Sequence, residues 1–217
     1  MRKLTEFQKA IESGDVAQVI ALVEEDPQLI EIRVSRNLKP VLLAAYYRRP
    51  AVVEALLARG AGVDACLCAV LGRAQQLREI VTADPSALTT HSPDGWTLLH
   101  LAARFDQTLA AEVLLDLGAD LHDASNDKGM APIHQAWSRE MIALFLSRGA
   151  DINARTIDGL TLLHSHATHA SGDLIRFLLH HGADPHAKTQ ANQTPWAIAV
   201  EQGNREAAEI LFRGAQA

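Results

Sequence analysis

Three histidines, His164, His166 and His169, fall within six positions of the stretch TLLHSHATHASGD at residues 161–173. Imidazoles this close could bind a metal or move a proton. His166 and His169, three apart on a helix, could share a face, with Asp173 or Glu140 as a third ligand. Catalytic zinc takes three protein ligands and keeps one position open. The set falls short of that, and no H-E-x-x-H pattern accompanies it. Cys66 and Cys68 are two residues apart, a poor basis for a structural disulfide. The chain also lacks a G-x-x-x-x-G-K-[ST] loop, a G-x-G-x-x-G turn and a G-x-S-x-G nucleophile elbow. No catalytic residue and no cofactor are therefore expected.

The elements that position these side chains must come from an ordered chain. Of 217 residues, 48% are hydrophobic and 21% charged, the composition of a folded soluble protein. No stretch approaches the ~20 apolar residues of a membrane span. The opening residues MRKLTEFQKAIESGDV hold two basic residues with no apolar run behind them, so no secretory signal is expected and the cytosol is the expected location. A net charge of −6 argues against a general nucleic-acid binder. Residues 31–60 are the local exception, with six basic residues against Glu31 and Glu54.

The chain repeats itself. DGWTLLHLAA (94–103), KGMAPIHQAW (128–137), DGLTLLHSHA (158–167) and NQTPWAIAV (192–200) are versions of one phrase. Each of the first three is followed by a second phrase: LLDLGAD (114–120), FLSRGAD (145–151) and FLLHHGAD (177–184), with ALLARGAG (55–62) earlier. This pattern resembles the ankyrin repeat, a turn and two helices of about 33 residues carrying a T-P-L-H-x-A signature. The resemblance is strongest over residues 94–213 and recognisable from residue 4. It implies an all-α ankyrin-repeat solenoid of about seven helix-turn-helix units with short hairpin turns. The whole chain, 1–217, would be one domain, with units starting near residues 4, 37, 65, 94, 127, 158 and 191. Units one and three lack the TPLH-type turn.

Physical reasons stand behind the pattern. Threonine at the turn caps the first helix, proline fits its first turn, and the glycine of GAD stops the second helix in a left-handed conformation. One unit cannot bury both its faces, so units must stack. Polar outer faces are expected at the ends, from Lys3, Glu6 and Lys9 and from Glu201, Gln202, Arg205, Glu206 and Glu209. On this frame His100, His134 and His164 are equivalent, and the resemblance makes them scaffold, tying one turn to the next. His166 instead stands where other units place Ala10, Ala44, Cys68, Ala102, Ala136 and Ala199. From Ala131 to Gly149 is 18 residues, against 21 from Thr97 to Gly118 and from Thr161 to Gly182. Unit five has thus lost three residues, and Trp137 and His166 are expected to refill the gap. The His166 ring should be neutral, with a nitrogen bonded to a neighbouring group.

A stack of such units offers a long concave face. The resemblance places partner contacts just before the TPLH turn and at the end of the first helix. These are Arg36, Leu38, Tyr46, Tyr47 and Arg59 in unit two, and Trp96, Arg104, Phe105 and Leu117 in unit four. Met130 stands for unit five, and Leu160, Thr168, His169 and His181 for unit six. Aromatic residues and arginine dominate interface hot spots. The implied function is non-enzymatic binding of another protein, with the basic second unit favouring an acidic segment, by a monomer that uses neither nucleic acid nor membrane. A metal-binding protein or hydrolase using His166 and His169 is the rival reading, and a structural or self-associating module the third.

Overall fold

The computed structural model describes residues 2–124 and 126–215. They form thirteen α-helices and short 3-10 turns, with no strand; one isolated antiparallel bridge joins His91 to Thr97. The chain divides into two compact units, residues 1–119 and 120–217.

In the first unit the helices pair as hairpins: α1 (Arg2–Ser13) with α2 (Val16–Glu25), α3 (Pro40–Tyr46) with α4 (Pro50–Leu57), α5 (Ala65–Leu71) with α6 (Ala74–Ala83), and α7 (Leu98–Arg104) with α8 (Thr108–Asp116). The first helices of successive hairpins pack together, α1 on α3, α3 on α5 and α5 on α7. Ala44, Cys68 and Ala102 lie in that packing with no exposed surface. Their small size lets one helix backbone approach the next. Side-chain caps begin several helices: Asp15 accepts from Gln18 N–H, Asp64 from Leu67 and Thr97 from His100. Asp26 and Asp84 likewise cap the 3-10 turns Pro27–Ile30 and Pro85–Thr89, which close the two shorter variants of the repeat.

The second unit opens with a 3-10 turn, Pro132–Gln135, where the other repeats have a full first helix. It continues through α9 (Arg139–Ser147), α10 (Leu162–Ala167), α11 (Gly172–His180), α12 (Pro195–Glu201) and α13 (Arg205–Gly214). The missing residues thus cost this repeat its first α-helix. Gly149 and Gly182 end α9 and α11 at φ of 90° and 87°, a conformation that side chains resist.

Turn histidines link successive repeats. His134 Nδ1 accepts from Ala131 N–H at 3.1 Å, and its Nε2 donates to the Ala154 carbonyl at 3.0 Å. His164 does the same, accepting from Thr161 N–H at 3.1 Å and donating to the Gln193 carbonyl at 3.2 Å. In the first unit His100 Nδ1 pairs with Thr97 Oγ1 at 2.7 Å. All three rings are buried, so each bond substitutes for water that the ring has lost.

The expected polar outer face of the last hairpin is interrupted. Trp196, Val200 and Phe212 are 42%, 53% and 54% exposed, and the two rings lie 6.3 Å apart. Trp196 holds the turn position of Leu163, which the following helix α12 covers on α10.

Replacing His134 by Ala should destabilise the fold by about 2–4 kcal/mol, because it strands a buried donor and a buried acceptor at roughly 1–3 kcal/mol each. His186, on an exposed loop, should change stability by no more than about 0.5 kcal/mol when replaced by Ala. Urea unfolding of both variants is the check; equal losses would show that His134 is not holding the turn.

Candidate functional site

The histidine cluster is not brought together as a site. His166 is fully buried on α10, whereas His169 is exposed in the turn after it. Among the described residues no group of three or more His, Cys, Asp or Glu side chains could hold a metal. His166 lies flat against Trp137, ring centroids 4.8 Å apart and planes 11° from parallel. Trp137 follows the 3-10 turn that replaced the lost helix, so the two rings fill the space it vacated. The expected hydrogen bond is absent: neither Nδ1 nor Nε2 of His166 has a partner. Burial alone pushes its pKa from 6.5 down to about 4, since a charged ring cannot be solvated there. His164 is lowered as well, chiefly by burial.

The cysteines are equally inert. Burial raises the Cys66 thiol to about 12, helped by the Asp64 and Asp94 carboxylates, and the Cys68 thiol to about 11. Neither is a thiolate near neutrality, so neither is a ready nucleophile. A cavity of about 260 Å³ lies beside Cys66, lined also by Arg33, Lys39, Asp64 and Asp84. Its charges are engaged. Asp64 and Asp84 cap helical turns, Lys39 pairs with Glu31 at 2.8 Å, and Arg33 donates to the Asn37 carbonyl.

A partly exposed aromatic cluster in residues 1–119 is the stronger candidate. α3 and α7 pack on opposite sides of α5, yet side chains at their C-terminal ends meet. The rings of Tyr46 and Phe105 are 5.2 Å apart, and the Arg48 guanidinium lies 5.8 Å over Phe105. Tyr47 is 44% exposed beside them. Arg104, at the end of α7, is exposed, and Trp96 is half-buried with its ring 5.4 Å from His100. Tyr46 is partly scaffold: its hydroxyl donates to Asp94 Oδ1 at 3.1 Å, and burial and that carboxylate hold its pKa well above the usual value. Arg48 is a member that the sequence pattern did not single out. It holds a left-handed φ of 54°, as Asp106 does at 59° in the equivalent turn. That shared turn, one residue past the aromatic ends, was the available signal.

Other expected contact residues fall elsewhere. Leu38 is fully buried and presents no surface, which corrects its placement among partner contacts. The tight turn Ser35–Asn37, with Arg36 and Asn37 at positive φ, folds it inward while Val34 N–H donates to the Leu38 carbonyl. Arg36 is exposed at the tip of that turn. Arg59, Leu117 and His181 stand at the C-terminal ends of second helices rather than first ones. Arg59 pairs with Glu24 at 3.0 Å, and Leu117 is half-buried. Residues 120–217 contain the half-buried Met130, Leu160 and Thr168 and the exposed His169. The local basic excess of residues 31–60 is compensated in part: Lys39 and Arg59 are ion-paired, and Arg49 donates to the Glu12 carbonyl. Among the described residues Arg36 and Arg48 form no ion pair.

A family model of ankyrin repeats in three copies matches residues 65–156 and 138–217. The chain therefore belongs to the ankyrin-repeat family, and its fold is all-α. Among curated relatives, the B-cell lymphoma 3 protein homolog of Mus musculus is 29% identical over 87% of this chain and 48% of its own length. The SH3 and multiple ankyrin repeat domains protein 2 of Homo sapiens is 25% identical over 86% of this chain and 13% of its own. The neurogenic locus notch homolog protein 1 of Mus musculus is 34% identical over 55% and 5% respectively. The chain spans half or less of each of these relatives. Ankyrin repeats are protein-interaction modules, and a general protein-binding role follows.

The orphaned ring of His166 makes a signed expectation. Above pH 6.5 the ring is neutral both folded and unfolded and contributes no pH dependence. Between 6.5 and about 4 the unfolded chain takes up a proton that the folded one refuses, so stability falls as pH drops. The full loss is roughly 3 kcal/mol. His166→Phe keeps the stacked ring and should remove this slope; His166→Ala should cost about 1–3 kcal/mol at pH 7.5. Thermal unfolding from pH 7.5 to 4, with and without EDTA, is the measurement. A chelator-dependent loss in the wild type would restore the metal reading.

Proposed function

We propose that this protein is a non-enzymatic binding module that seats a partner protein on the concave face formed by first helices and the turns before them. The observation that supports it is the Tyr46–Phe105–Arg48 cluster with Tyr47 exposed beside it. Aromatic rings held rigid by neighbours offer a large apolar contact at little cost in conformational entropy, and a guanidinium at the edge adds directional hydrogen bonds. Arg36, Trp96 and Arg104 extend the same surface, and Met130, Leu160, Thr168 and His169 are its proposed counterpart in residues 120–217. Arg36 and Arg48, both without carboxylate partners among the described residues, favour an acidic segment on the partner. Binding by a monomer in the cytosol, without nucleic acid or membrane, completes the proposal.

A binding surface and a packed core respond differently to truncation. Tyr47→Ala should change stability by less than about 0.5 kcal/mol. Phe105→Ala, half-buried, should cost less than the roughly 3–5 kcal/mol of a core aromatic. Each should reduce recovery of the principal partner at least tenfold in quantitative affinity purification, while Leu109→Ala on α8 should not. Undiminished recovery with both cluster variants would place the interface elsewhere.

A further inference from the structure

The cluster at the ends of α3 and α7 is not the only charged aromatic surface. In residues 120–217, Arg139 at the start of α9 reaches α11 and lays its guanidinium over Phe177, 4.6 Å from the ring centroid. The His181 ring lies 4.1 Å from Phe177 on the same helix end, with Nδ1 donating to the Phe177 carbonyl at 2.8 Å. His180 meets His181 edge-on at 5.4 Å. These residues, with Asp173 and Arg176, line an open cavity of about 360 Å³.

We propose that this α9–α11 groove is a second docking site, and that its occupant is an acidic peptide segment that places one carboxylate against Arg139. Charge sets the partner. Arg176 is engaged by Asp173 at 2.9 Å and faces Glu206 at 3.9 Å. Arg139 has no carboxylate within ion-pair distance among the described residues, and its planar group is already oriented by the ring beneath it. A guanidinium stacked on an aromatic face keeps its N–H edges free, the geometry that accepts a carboxylate side-on. Asp173 and Glu206 both face Arg176, so Arg139 is the lining cation without a carboxylate among the described residues. One unpaired guanidinium suits a single carboxylate, whereas a phosphoryl dianion would also meet the Asp173 carboxylate. The exposed imidazole of His180 adds polar and apolar edge for the residues flanking the acid. The site lies on second helices and does not depend on the first-helix surface.

The probe is a fluorescein-labelled octapeptide alternating Glu and Leu, followed by fluorescence anisotropy, with its Gln/Leu and phosphoserine/Leu counterparts. The Glu peptide should bind saturably and at least tenfold more tightly than the Gln peptide. Arg139→Gln should weaken it about tenfold at an unchanged unfolding temperature, while Arg2→Gln, at the exposed start of α1, leaves it within twofold. Asp173→Asn, which removes the competing carboxylate, should tighten it several-fold, a gain that misfolding cannot mimic. Equal binding of Glu and Gln peptides, no response to Arg139→Gln, or an equal loss with Arg2→Gln would overturn the site. Tighter binding of the phosphoserine peptide would overturn the carboxylate assignment.

Discussion

The hydrogen bond that a turn histidine sends into the following turn sets the spacing on which the repeats of residues 120–217 depend. A neutral ring is required, because Nδ1 must accept from its own turn while Nε2 donates to a carbonyl 20 residues on for His134 and 29 for His164. The loops add parallel ties. Asn153 bridges the Gly182 carbonyl and Asp184 N–H, and Gln190 donates to the Ile157 carbonyl. With turns fixed at this distance, first helices lie close, and the residue between them must be small. Ala44, Cys68, Ala102 and Ala199 obey that limit.

His166 breaks the limit, and Trp137 makes the exception tenable. Loss of the first α-helix in one repeat opens a space that an alanine could not fill. A flat imidazole against a flat indole fills it with broad van der Waals contact. The remaining cost is that both ring nitrogens are buried without partners, a penalty of order 1–3 kcal/mol for each stranded polar group. Packing is therefore achieved at the expense of polar satisfaction, and the depressed pKa of His166 is the electrostatic signature of the same compromise.

Much of this was legible in the sequence because repeats are self-referencing. Aligning the phrases exposes the 18-residue spacing from Ala131 to Gly149 and the histidine standing among alanines, and both point to Trp137. The partnerless state of His166 was not legible, since it depends on where backbone groups face, not on which residues are adjacent. Leu38 was misplaced for a similar reason: two left-handed residues before it turn its side chain inward, and neither is glycine. Arg48 escaped notice because its place over Phe105 joins positions 57 residues apart. The basic stretch at 31–60 looked available, yet Lys39 and Arg59 are neutralised by acids within the same unit.

His134, His164 and His166 thus serve the scaffold. Nitrogen NMR of the imidazoles tests that assignment most directly. His134 and His164 should show a protonated Nε2 and an unprotonated Nδ1 near neutral pH. His166 should stay neutral until the pH nears 4 and should ignore added zinc. Titration of His166 near 6.5, or zinc-induced shifts of His166 and His169 together, would contradict it.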